Sequence, residues 1–145
     1  MNLYRGAFFV LLVVTLFSIG CGSNKFNPNN VIVTVTPATA MASVNGQLTL
    51  QAAIQNDCTG CVPLYVWYVA ENNGGDCTWI DTPPAGPCPA GTIQQNPDVG
   101  VFTVTYFAPA TSGTYHVTAQ WNDYDNFSGP PVATKLGVAA VTITP

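Results

Sequence analysis

The chain has 145 residues, of which 48% are hydrophobic and only 7% charged, with a formal net charge of −4 at pH 7. Ordinary soluble domains carry about 25% charged residues, so the polar surface here has to come from Thr, Asn, Gln, Ser and Gly. Three basic residues against seven acidic ones leave no basic stripe for a phosphate backbone, which excludes nucleic acid as a partner.

Arg5 precedes an apolar run from Ala7 to Ile19 that closes on Gly20-Cys21. One positive charge, a short apolar stretch and small residues at its end form the layout of a secretory signal, assigned to residues 1–20. A membrane-spanning helix needs about 20 apolar residues, and no basic stop-transfer cluster follows this shorter run. Ser18-Ile19-Gly20-Cys21 resembles the bacterial lipobox, with Ser18 where that motif usually carries an aliphatic residue. Ser18 and Gly20 would equally suit an ordinary signal peptidase. The resemblance implies that Cys21 carries diacylglycerol and that the membrane is a partner through this N-terminal lipid. The other four cysteines form an even set, which leaves Cys21 unpaired. Gly22, rather than Asp, implies by resemblance to lipoproteins of two-membrane bacteria a place at the outer membrane; in a one-membrane host the domain sits on the outer face. Residues 21–30, with turn formers and little to bury, read as a lipidated flexible tether.

Residues 31–145 suffice for one core. No sustained 3.6-residue period occurs there; short alternating runs separated by Pro and Gly argue for an all-β domain. Val31 to Thr36 is a β-branched run closed by Pro37. Gln47 to Ile54 alternates, with Leu48, Leu50, Ala52 and Ile54 facing one way. Leu64 to Val69 puts Tyr65, Trp67 and Val69 on one face. Val101 to Phe107 is a further strand, and Tyr115 to Trp121 sets Tyr115, Val117, Ala119 and Trp121 against His116, Thr118 and Gln120. Lys135 to Thr144 is the last. Count and spacing predict an immunoglobulin-like two-sheet sandwich of about seven strands, its core around Trp67, Leu50 and Val117.

Val33-Thr34-Val35-Thr36-Pro37-Ala38 followed by Gly46-Gln47-Leu48-Thr49-Leu50 resembles the opening of bacterial Ig-like (Big-type) domains. Trp67, Gly91-Thr92-Ile93, Ala108-Pro109-Ala110, Gly113 to Ala119 and the closing Ala140 to Thr144 continue the similarity. The resemblance implies that Tyr115 forms a tyrosine corner, its hydroxyl bonded back to nearby backbone. The chain departs from the pattern at residues 57–100, a longer insertion that holds Cys58, Cys61, Cys77 and Cys88.

Cys58-Thr59-Gly60-Cys61 has the spacing of a redox couple, but Val62-Pro63 and a strand follow where a helix would be needed. Zinc is disfavoured because Cys77 and Cys88 have ten residues between them, where zinc pairs have about two to four. In an oxidising compartment the four are expected as structural disulfides, with Cys58–Cys61 and Cys77–Cys88 as the local pairing. The Trp121-to-Phe127 loop supplies the candidate ligand-binding residues Trp121, Asp123, Tyr124 and Asp125, whose rings and polar groups suit a glycan or a peptide; Trp79 is a further candidate for sugar stacking. As a calcium loop the same segment fails, since Phe127 stands where a third oxygen ligand belongs. No metal, cofactor or catalytic residue is assigned. The lone histidine, His116, is expected at the surface, and no nucleophile elbow or phosphate loop occurs. The expectation is a lipid-anchored envelope protein bearing a non-catalytic interaction or adhesion module. Carbohydrate binding and a structural spacer are the alternatives.

Overall fold

Each alternating run becomes a strand with one face in the core. The computed structural model describes residues 26–57, 64–74, 76–95, 102–123 and 131–145. Among them are nine strands: β1 (Ile32–Thr36), β2 (Thr39–Ser43), β3 (Gln47–Gln55), β4 (Leu64–Val69), β5 (Thr78–Trp79), β6 (Thr92–Gln95), β7 (Thr103–Phe107), β8 (Gly113–Asp123) and β9 (Ala133–Thr144). They form a β-sandwich of two sheets, ordered β1-β3-β7-β6-β5 and β2-β9-β8-β4. Setting β2 and β5 aside, this is the seven-strand constant-type immunoglobulin order, four strands facing three.

The two additional strands have separate origins. After β1 pairs antiparallel with β3, the chain turns at Pro37-Ala38, and β2 joins the other sheet in parallel with β9. Thr-Ala-Met-Ala-Ser has no β-branched run, so nothing local announces β2; register with Ala140 to Thr144 holds it. The two-residue β5 comes from the Cys-containing insertion and pairs with β6.

The core packs Leu50, Ile93, Val104, Tyr106, Val117 and Val141 around Trp67 and Trp121. Fully burying one such aliphatic side chain contributes about 1.5–3 kcal/mol. Tyr106 is buried with its polar end satisfied, the hydroxyl donating to Ala90 O at 2.7 Å. Burial holds its pKa above the ordinary tyrosine value, with the Tyr115 and Glu71 charges adding to the rise. Asn72 brackets the same turn: Ala90 N donates to its Oδ1 and its Nδ2 donates to Gly91 O, both at 2.9 Å. The described part of the insertion is thus bolted to the sandwich. Gly91 makes this possible. Its φ is +89°, and a Cβ there would lie 2.3 Å from Phe107 O and 2.9 Å from the Tyr106 ring. Gly91→Ala is expected to lose about 2 kcal/mol of stability, read as a lower urea midpoint.

The tyrosine corner forms: Tyr115 OH lies 2.9 Å from Thr111 Oγ1 and donates to Thr111 O at 3.2 Å. The expected tether does not extend to residue 30. Phe26 packs edge-on against Trp121, with centroids 6.2 Å apart, and Pro28–Asn30 form a 3₁₀ turn. Asn56 Nδ2 and Lys135 Nζ each donate at 3.1 Å, to Asn30 O and Asn29 O. One aromatic ring in a polar stretch is enough to dock it once the sandwich supplies a partner. Cys21 lies outside the described residues.

Candidate functional site

Trp121 is not a surface residue. Its side chain is 0% exposed and belongs to the core. The inward register of β8 that places Val117 and Ala119 in the core carries Trp121 with them, as its pairing opposite Tyr65 requires. Its indole Nε1 donates to Asp57 Oδ1 at 3.2 Å, while Tyr65 OH donates to Asp57 Oδ2 at 2.7 Å. One carboxylate therefore clamps two aromatic side chains from β4 and β8. Burial, and then Asp57, push the Tyr65 hydroxyl above its ordinary pKa. The phenol remains a donor throughout the neutral range. Expected as a glycan-stacking ring, Trp121 is a structural one, because a buried indole offers no face to a ligand.

Asp123 is partly buried at the end of β8, and its carbonyl accepts from Val132 N at 2.8 Å, closing the β8–β9 pairing. Tyr124 and Asp125 lie outside the described residues, as do Cys58 and Cys61. Cys77 and Cys88 form the expected disulfide. It ties the start of β5 to the turn ahead of β6, a loop staple and not an inter-sheet bridge.

His116 is about half exposed, as expected, but its neighbour is not legible from spacing: Nδ1 lies 2.6 Å from Glu71 Oε1, and its backbone N donates to Glu71 Oε2 at 2.9 Å. Partial burial raises the Glu71 carboxyl, but the hydrogen bonds from His116 outweigh it and hold the pKa below the ordinary 4.5. A depressed carboxylate pKa adds stability that is complete above 4.5 and lost as pH falls through the folded value. Thermal melts of the wild type and Glu71→Gln should differ above pH 4.5 and converge in stronger acid. The gap should stay under about 1 kcal/mol, because the pair is open to solvent.

The outer faces of the two sheets differ in chemistry. On the four-stranded sheet, register places Val138, Thr118 and Tyr68 in one row and Leu136, Gln120 and Val66 in the next. Leu136 and Val138 are 51% and 46% exposed, and Met41, further along the same face, is 72% exposed. Thr118, on the same strand face as His116, is buried between the flanking Val138 and Tyr68. On the five-stranded sheet the outward positions are mostly Thr and Gln, and no strand of it contains a charged residue. At one side of that face the Trp79 and Phe107 rings sit 5.9 Å apart at 32°. The indole Nε1 of Trp79 is buried with no acceptor among the described residues.

An open groove of about 580 Å³ follows the free edge of β4, where Thr78 Oγ1 donates to Trp67 O at 2.8 Å. Asp76 is the one carboxylate among its described lining residues, whereas glycoside hydrolysis uses a facing pair. No cluster of three or more His, Cys, Asp or Glu side chains converges among the described residues.

No family model matched the chain, and a search of curated proteins found no relative.

Sequence reasoning missed Asp57, Glu71, Phe107 and the Leu136–Val138 pair. The last had a signal: in β9 the alternate positions Leu136 and Val138 are as apolar as Ala139, Val141 and Ile143, so both faces of the strand read as hydrophobic.

Proposed function

We propose that the chain is an exported, lipid-anchored Ig-like module that works without catalysis, holding a protein partner against the outer face of its four-stranded sheet. The observation that carries this reading is the exposed pair Leu136 and Val138 on β9, whose rows run through Gln120 and Thr118 to Val66 and Tyr68. Exposed aliphatic side chains grouped on one sheet face, and not scattered, mark an interaction surface. The similarity to bacterial Ig-like domains and the lipobox-like Ser18 to Cys21 support the placement in a cell envelope.

Anchoring at Cys21 would set the orientation. Phe26 is docked under Trp121 five positions later, so the chain between lipid and folded body can span at most about 17 Å. The end of the sandwich bearing Phe26, Asn56 and Lys135 then lies next to the membrane.

Two measurements test the reading. Mass spectrometry of the mature N-terminus should show a diacylglyceryl thioether on Cys21; a free thiol there would remove the anchor. A photo-crosslinking side chain at Val138, in the full-length protein in cells, should give a discrete protein adduct that Leu136→Lys abolishes. No adduct would leave an inert spacer and sink the interaction role.

A further inference from the structure

We propose that the outer face of the five-stranded sheet is a binding platform for a neutral, β-linked polysaccharide chain. It lies on the opposite side of the sandwich from the partner-binding face, and the two stand or fall separately.

The first argument is the chemistry of the face. β1, β3, β5, β6 and β7 contain no Asp, Glu, Lys, Arg or His, although charge is the usual means by which a solvent-facing sheet stays soluble and unpaired. Among the described residues, Asp76 and Asp81 stand beside β5 in the chain and not within the sheet. In their place Gln47, Thr49 and Gln51 of β3 point outward and are exposed, with Thr105 and Gln94 continuing the Thr49 row across β7 and β6. Hydroxyls and carboxamides each donate and accept, as do the hydroxyls of a sugar. A charged ligand would find no counter-ion here, and a protein partner would find few of the exposed aliphatic side chains that mark the other face.

The second argument is the aromatic pair. Trp79 extends from β5 over β6 to meet Phe107 of β7, tilted by 32°. The two rings are partly exposed and together cover two strand spacings, about 10 Å. A β-linked pyranose turns axial C–H groups to its faces and hydroxyls to its rim. Its face suits the Trp79–Phe107 rings, and its rim reaches Gln47 opposite Phe107 and Gln94 opposite Trp79. The enclosed indole N–H of Trp79 has no acceptor among the described residues. A buried donor without a partner costs about 1–3 kcal/mol, so a ligand hydroxyl that met it after a small ring rotation would recover part of that.

The sequence-based sugar candidates were Trp121, Tyr124 and Trp79. Burial removes Trp121, and the sheet register moves the site to the face that Trp79 shares with Phe107.

The test is co-sedimentation of the full-length protein, in detergent, with insoluble cellulose, chitin and β-1,4-mannan. The wild type should pellet with at least one of them, unchanged as salt rises from about 0.05 to 0.5 M, since no charge is involved. Trp79→Ala should lower the bound fraction at least about tenfold. Thr49→Arg, which touches no core residue, should do the same and keeps the test decisive if the tryptophan variant does not fold. Three results would each overturn the proposal: no pelleting with any of the three polymers, binding that salt abolishes, or full retention by folded Thr49→Arg.

Discussion

Trp121→Ala is expected to destabilise the sandwich by about 3–5 kcal/mol, a large share of what a domain of this size possesses. Three losses coincide. The core loses its second fully buried indole, Phe26 loses the ring it packs against, and Asp57 loses the indole donor. Urea denaturation should show a lower midpoint, and limited proteolysis should cut first near residues 26–30, which depend on the Trp121 ring. Trp121→Phe separates the contributions. It keeps most of the packing but removes the indole N–H, and should cost about 1–2 kcal/mol. A Trp121→Ala protein with wild-type stability would mean that the ring is at the surface, as the loop composition alone suggested.

Removing the Cys77–Cys88 bridge, by Cys77→Ser with Cys88→Ser, is expected to cost about 3 kcal/mol from the entropy of the loop it closes. The loss should be uneven. β5 pairs over two residues only, Thr78 with Ile93 and Trp79 with Gln94. Without the bridge, the backbone bond from Ile93 N to Cys77 O and the Thr78 hydroxyl on Trp67 O are left to hold β5 in place. Hydrogen exchange should therefore rise in residues 76–93 before it rises in β3 or β8. If polysaccharide binding is found, the double variant should lose it as well, because Trp79 sits one residue beyond the strand start that the bridge fixes. Uniform exchange across the sandwich would show that the bridge acts only on the unfolded chain.

Alternation along β3, β4 and β8 identified the inward residues, because a period of two has only one face to bury and Leu50, Trp67 and Val117 could go nowhere else. At Trp121 it was the neighbouring loop composition, and not the period, that misled. Trp121 was correctly grouped with Val117 and Ala119, yet its place beside Asn122 and Asp123 made it look like the start of a binding loop. Strand β8 runs on to Asp123, and the ring stays inside. Strand β2 and the docking of Phe26 gave no local signal, since both depend on partners more than 90 residues away in the chain.

By itself, then, the sequence determined an all-β sandwich, its central side chains and the Cys77–Cys88 staple, with the tyrosine corner implied only by the resemblance to bacterial Ig-like domains. These follow from short-range periodicity, or from residues close enough in sequence to find each other. The tertiary structure decided what each outer face presents. It paired Trp79 with Phe107 across β6, set Glu71 on His116, closed Asp57 over Tyr65 and Trp121, and left Leu136 and Val138 uncovered. Those outcomes depend on the strand order β1-β3-β7-β6-β5 and β2-β9-β8-β4. Strand order is fixed by the joint packing of the two sheets, which no window of neighbouring residues contains.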